Sequence, residues 1–264
     1  MSASQHAGKP EADPTAVGTL DVDGDFYRLA ELVEPQDMEV IGRVRTFMRE
    51  RVAPIITEYW SKAEFPHQFV PEYAALGIAG ACYQGFGCGG RGSVLDGLLM
   101  LELARVDCSF ATFHGVHSGL AMGSIYLCRS DEQRAHWLPL MRRGEKIGAF
   151  GLTEPETGSG VARGLNTTAR GDGDTWVLNG AKAWFGNATF ADVVVIGARD
   201  LDDGQVKGFL VEKGTPGFST QQMERKIDLR VVQNARITLE DVRVTEANRL
   251  QRARSFKAPQ RSCA

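Results

Sequence analysis

The chain has 264 residues, 43% of them hydrophobic, enough to bury the core of one large domain or two modest ones. A net charge of −3, with lysines and arginines scattered along most of the chain, excludes an electrostatic nucleic-acid binder. The five cysteines, Cys82, Cys88, Cys108, Cys128 and Cys263, include no Cys-x-x-Cys pair, which argues against a zinc site and a disulfide framework. Without an apolar run before a cleavage site at the N-terminus, the expected setting is the cytoplasm.

Residues 1–24 are rich in Gly, Ala, Pro, Asp and Ser and lack periodicity, which predicts a disordered leader. A helix is predicted over 36–62, because Met38, Ile41, Val44, Met48, Val52, Ile55 and Tyr59 recur at three- and four-residue spacings. Pro54 should bend or divide it. A short helix follows at 71–76, then a glycine-dense loop over 80–93, then a helix over 94–106. Residues 109–128 carry no charge over a membrane-span length, but their histidines, serines and glycines are too polar for the bilayer. A helix buried in an all-α domain is predicted instead, with no membrane partner. His114 and His117 lie on one face at a spacing that two metal ligands can use. No third ligand is evident, so buried, hydrogen-bonded histidines are expected and no metal site. Ser130, Asp131, Glu132 and Gln133 form a capping box that opens a helix ending near Arg142 and Arg143.

From Lys146 the texture changes. Segments 167–170, 175–179, 192–199, 208–212, 218–222 and 236–239 are short, rich in Val, Ile, Thr and Phe, and separated by Gly and Asp turns. That pattern predicts a β-barrel or sandwich. The fold class is therefore α+β and multidomain. An all-α domain over 25–146 follows the leader, a β domain spans 147–247, and 248–264 is a stub.

Two stretches carry candidate chemistry. Residues 148–160 run Gly-Ala-Phe-Gly-Leu-Thr-Glu-Pro-Glu-Thr-Gly-Ser-Gly. Pro155 stops the buried run, and Gly158 and Gly160 permit positive φ and close approach of a ligand. Consecutive amides in such a loop can hold an anion. It is neither a Walker loop nor a dinucleotide fingerprint; an ordinary hairpin loop is as good a reading. Residues 179–187 form a turn followed by Trp184, Phe185 and Gly186. Trp184 suits stacking on a flat heterocycle, or the corner of a barrel core.

Together and in this order, these stretches resemble the acyl-CoA dehydrogenase and oxidase family. The residues that carry the likeness run from Phe150 to Ser159, from Trp176 to Trp184, and from Ala191 to Val195. Gly208 to Val211, Leu229 to Asn234 and Asp241 to Val244 support it. Within the family the chain looks most like the group holding glutaryl-CoA dehydrogenase and the plant-type short-chain acyl-CoA oxidases. The resemblance implies a helical domain, a middle β-barrel and a C-terminal helical domain, with FAD lying across the barrel. It places Phe150, Leu152 and Thr153 along the isoalloxazine, Thr153 hydrogen-bonding the ring. Gly158 and Ser159 fall by the pyrophosphate, and Ser159 also by the pantetheine end of the substrate. Trp184, Phe185 and Gly186 cover the flavin near its reactive nitrogen. The implied activity is α,β-desaturation of a short- or medium-chain acyl-CoA thioester, in fatty-acid or amino-acid breakdown, with an electron-transfer flavoprotein or oxygen as acceptor.

Four departures qualify that expectation. Gly186 stands where many dehydrogenases carry Thr or Ser. Gly160 replaces the usual Asp. Ala111 takes the place of the Arg that binds the distal carboxylate in glutaryl-CoA dehydrogenases, which disfavours a dicarboxylic substrate. The sequence also ends where the C-terminal helical domain should begin. The family's catalytic Glu and most of its homo-oligomer interface belong to that domain, so no catalytic residue is assigned here. The alternative is a non-catalytic remnant that binds FAD or acyl-CoA, or a subunit of a full-length relative. Exposed apolar surface would then make the isolated chain poorly soluble.

Overall fold

A computed structural model describes residues 24–158 and 164–252. The leader, all but its last residue, lies outside the described residues, as do Ser159, Gly160 and the stub beyond Arg252.

Helix α1, Pro35–Phe47, starts at a proline and buries Val40, Ile41, Val44 and Phe47 on one face. The helix expected to run on to residue 62 does not. A π-helical turn, Met48–Val52, follows, and helix α2 covers Ile56–Lys62. Pro54 divides the element, as its missing N–H and ring clash require. Helix α3 spans Val70–Ala75, α4 spans Ser93–Val106, and α7 spans Asp131–Arg142. The capping box is present: Gln133 N donates to Ser130 Oγ, and Ser130 N to Gln133 Oε1 at 3.1 Å.

Residues 109–128 lie in one unbroken helical run, as expected, with a π-helical segment in its middle. Helix α5 is Cys108–His114, a π-helical segment is Gly115–Met122, and α6 is Gly123–Cys128. A π turn leaves carbonyls without regular partners. The Tyr83 hydroxyl donates to two of them, Ser118 O at 2.9 Å and Gly119 O at 3.2 Å. Among the described residues no helix is long and apolar enough to cross a membrane.

The second half is one curled seven-stranded sheet. Strands β1 (Gly148–Gly151), β2 (Thr168–Asp172), β3 (Thr175–Phe185), β4 (Val193–Asp200), β5 (Val206–Glu212), β6 (Phe218–Gln222) and β7 (Ala235–Thr245) follow in chain order. Their order in the sheet is β1-β4-β2-β3-β7-β6, with β5 on the other edge of β4. β3 and β7 run well past the segments expected at 175–179 and 236–239. Their antiparallel pairing from Thr175↔Thr245 to Phe185↔Ala235 extends both. β1 was not among the expected strands; four residues pairing parallel to Val193–Ile196 are too short to show alternation.

β4 explains why its segment reads as continuously apolar. Val193 and Val195 pack into the helical core, while Val194 and Ile196 pack into the sheet interior. Successive side chains point to opposite faces, and both faces are covered. After β7 the chain returns to β5, where Leu250 N donates to Gly208 O at 2.8 Å. At the junction, Phe65 of the helical half stacks on Phe190 at 5.2 Å. The buried Arg129 donates to Ala247 O and Asn248 O, each at 3.1 Å.

Candidate functional site

The first stretch begins where the helical half meets β1. His117 is fully buried in the π-helical segment. Its Nε2–H donates to Met141 O at 3.0 Å, and its Nδ1 accepts from Gly148 N at 3.0 Å. Those bonds fix the neutral tautomer. Burial pulls its pKa down to about 4. His114 is equally buried, between the Tyr73 hydroxyl at 2.6 Å and Asp96. Both histidines therefore hold the helices and β1 together.

β1 approaches that layer closely. A Cβ on Gly148 would lie 2.5 Å from Met141 Cε and 2.6 Å from Ala121 Cβ. Gly148→Ala should cost about 1–3 kcal/mol of stability through overpacking. A denaturant melt checks this; an unchanged midpoint would mean that the two layers separate freely.

Beyond β1, Phe150, Leu152 and Thr153 are half-buried. The Thr153 hydroxyl has no hydrogen-bond partner among the described residues. Residues 154–157 make a tight turn, with Glu154 N and Thr157 N each donating to the other's carbonyl at 3.1 Å. Pro155 sits second in that turn, where its fixed φ belongs. Gly158 is exposed, but it is not among the glycines with positive φ. The expected left-handed loop glycine is therefore not found there; the turn reverses the chain before Gly158 is reached.

The left-handed residues lie instead in the second stretch. Trp184 has φ 71° and Asn187 φ 64°. A bulky residue in that region is rare and is held by its surroundings. The β3–β7 register slips between Lys182 and Phe185, the mark of a β-bulge. The bulge turns the Trp184 side chain outward, leaving it 51% exposed, and Asn234 Nδ2 holds its carbonyl at 3.0 Å. Phe185 packs on the sheet interior. Gly186 is buried, and a Cβ there would meet Val232 Cγ1 at 3.0 Å and Val116 Cγ2 at 3.4 Å. Asn187 donates to Phe113 O at 3.1 Å, tying this stretch to α5.

The two stretches meet. Ala183 N donates to Thr153 O at 3.2 Å. Lys182 Nζ donates to Leu152 O at 2.9 Å and pairs with Glu154 Oε1 at 3.0 Å. Glu154 also accepts from Asn166 N and Thr167 N, each at 2.7 Å. Burial pushes the Glu154 carboxyl up, but the bonds from Thr167, Asn166 and Lys182 outweigh it and hold it below the usual range. Both charges lie inside the two stretches, and pattern alone assigns neither a role. The available signal was Lys182, the one charge in the run from Thr175 to Phe185.

Phe150, Leu152, Thr153, Trp184, Phe185 and Gly186 therefore lie on two stretches joined side by side. Gly158 lies beyond the turn, and Ser159 is outside the described residues. An exposed indole beside an unpartnered threonine hydroxyl fits a flat, polar-edged cofactor.

Comparison with known proteins agrees. The N-terminal domain of acyl-CoA dehydrogenases matches residues 34–145, and the middle domain matches residues 149–242. The chain belongs to the acyl-CoA dehydrogenase family. It is 33% identical over 223 residues to the human mitochondrial short-chain specific acyl-CoA dehydrogenase, covering 83% of this chain and 54% of that protein. It is 31% identical over 211 residues to an acyl-CoA dehydrogenase of Bacillus subtilis, covering 78% and 55%. The chain thus spans about half the length of these curated relatives. Among solved structures, a Mycobacterium smegmatis glutaryl-CoA dehydrogenase in complex with FADH2 superposes with TM-score 0.83 at 37% identity, over 88% of this chain and 60% of that one. A Bacillus anthracis acyl-CoA dehydrogenase complexed with FAD gives 0.76 at 32%, over 83% and 38%.

Proposed function

We propose that this chain is the flavin-bearing part of an FAD-dependent acyl-CoA dehydrogenase acting on a short- or medium-chain acyl-CoA. The observation that carries the reading is the bulge at Trp184, which presents an indole one residue from the Thr153–Ala183 hydrogen bond. When bound, FAD supplies the two-electron oxidation of the thioester. The chain binds and shields it. Thr153 would offer its unpartnered hydroxyl to the cofactor, the outward-turned Trp184 would shield it from water, and Phe150 and Leu152 would give it an apolar wall. Gly186 offers only its backbone amide, enclosed by Val232 and Val116. Glu154 is not the base that removes the substrate proton, since both its oxygens are bonded within the chain and its lowered pKa makes it a poor proton acceptor. We assign that base no residue of this chain.

Ala111 is buried and carries no charge for a second carboxylate, which supports a monocarboxylic acyl group. The reading includes an electron-transfer flavoprotein or oxygen as acceptor and a role in acyl-CoA breakdown. The reading keeps a reducing, cytoplasmic setting; no disulfide joins Cys82, Cys88, Cys108 or Cys128. We take the domains as 25–146 and 147–247, in keeping with the end of α7 at Arg142 and the start of β1 at Gly148.

The test is FAD titration of the purified chain, followed by addition of butyryl-CoA. Saturable binding is expected, and Trp184→Ala should weaken it by about tenfold, the loss of one aromatic stack. A chain that takes up no FAD, or a Trp184→Ala variant that binds it unchanged, would sink the proposal. Flavin that bleaches with substrate marks a catalytic chain; flavin that stays oxidised marks the binding remnant.

A further inference from the structure

The helical half holds a cavity of about 330 Å³, away from the Trp184 stretch. That is near the lower end for small-molecule pockets. It lies between α1, the turn after α3, the start of α4 and the end of α7. Val40, Ile78 and Leu95 give it an apolar floor, and Arg43, Arg91 and Arg142 line it.

The three guanidiniums are poorly matched by protein acceptors. Arg91 pairs with Asp37. Arg43 is exposed and has no hydrogen-bond or ion-pair partner among the described residues. Arg142 reaches Gly77 O only at 3.4 Å, and its Nε is buried without a partner. Gly77 has φ 71°, and a Cβ there would lie 3.3 Å from Arg142 Nη2, so the missing side chain makes room for that guanidinium. The C-terminal end of α7 offsets part of the Arg142 charge, but it gives Nε no acceptor. Three guanidiniums against one carboxylate leave the cavity cationic. The planar fork of arginine matches the oxygens of carboxylate and phosphate.

We propose that this cavity binds a compact oxyanion, a phosphate or carboxylate group, held by Arg43 and Arg142. The site shares no residue with the proposed flavin cradle and does not depend on that reading.

The test titrates the full chain with inorganic phosphate and, separately, with acetate, at constant ionic strength set by chloride, following heat of binding. Saturable binding at one site is expected in at least one arm, and the arm that saturates identifies the anion. Arg43→Ser removes an exposed side chain and should leave the melting temperature unchanged. It should weaken binding by about tenfold, as should Arg142→Gln, each removing a charged hydrogen bond. A loss in either variant supports the site. No saturation in either arm, or an affinity unchanged in both variants, overturns it.

Discussion

Replacing Lys182 with methionine should destabilise the protein by roughly 3 kcal/mol, the scale set by breaking a buried ion pair on one side. The Lys182 and Glu154 side chains are 0% and 3% exposed. Burial pulls the Lys182 ammonium down to about 8, against the opposing pull of Glu154. The two ionisations pull in opposite senses: burial disfavours the Lys182 ammonium, while its donors keep the Glu154 carboxylate charged. At neutral pH both groups are nonetheless charged. Methionine would leave a carboxylate with two backbone donors and no counter-ion, and would free Leu152 O. The unfolding midpoint in urea measures the loss. A cost under about 1 kcal/mol would show that the Asn166 and Thr167 amides satisfy Glu154 by themselves. Because Lys182 joins the two stretches, FAD affinity should fall as well.

Acid should weaken the fold through His117. Its folded-state pKa is about 4 and its ordinary value 6.5. Between those values the unfolded chain holds a proton that the folded chain refuses. Stability therefore falls as pH drops from 6.5 towards 4, and the loss levels off below 4. A gap of that size corresponds to roughly 3 kcal/mol. The physical cost is burial of an imidazolium away from water, and its Nδ1 proton would also face the Gly148 N–H. Urea melts across that window test this against His117→Gln, which should lose stability at neutral pH but show a shallower slope. Equal slopes would locate the acid sensitivity elsewhere. Glu102 and Glu154, both held below their usual range, contribute stability that is lost only at lower pH.

Much of the organisation was legible from local pattern. The α1 face, the capping box at Ser130 and the change to β texture after Lys146 each rest on residues near one another in sequence. The limits of the reading lie where elements are made by distant partners. β1 is a strand because Val193–Ile196 offers it an edge. The π-helical segment inside the long buried helix finds partners for its Ser118 and Gly119 carbonyls in the distant Tyr83 hydroxyl, and for the Ser118 hydroxyl in Gly80 N. Neither partner is visible in a hydropathy profile.

The amino-acid order alone determined the family likeness, the α-then-β succession, and which two stretches to bring forward, because periodicity and motif are local properties of a chain. Only the tertiary structure decided that Lys182 and Glu154 join those stretches, that a bulge turns Trp184 outward, and that His117 accepts from Gly148. Those outcomes depend on register and burial. One residue of slip in a strand exchanges its inner and outer faces, and a charge is held in the interior only where packing delivers its partner.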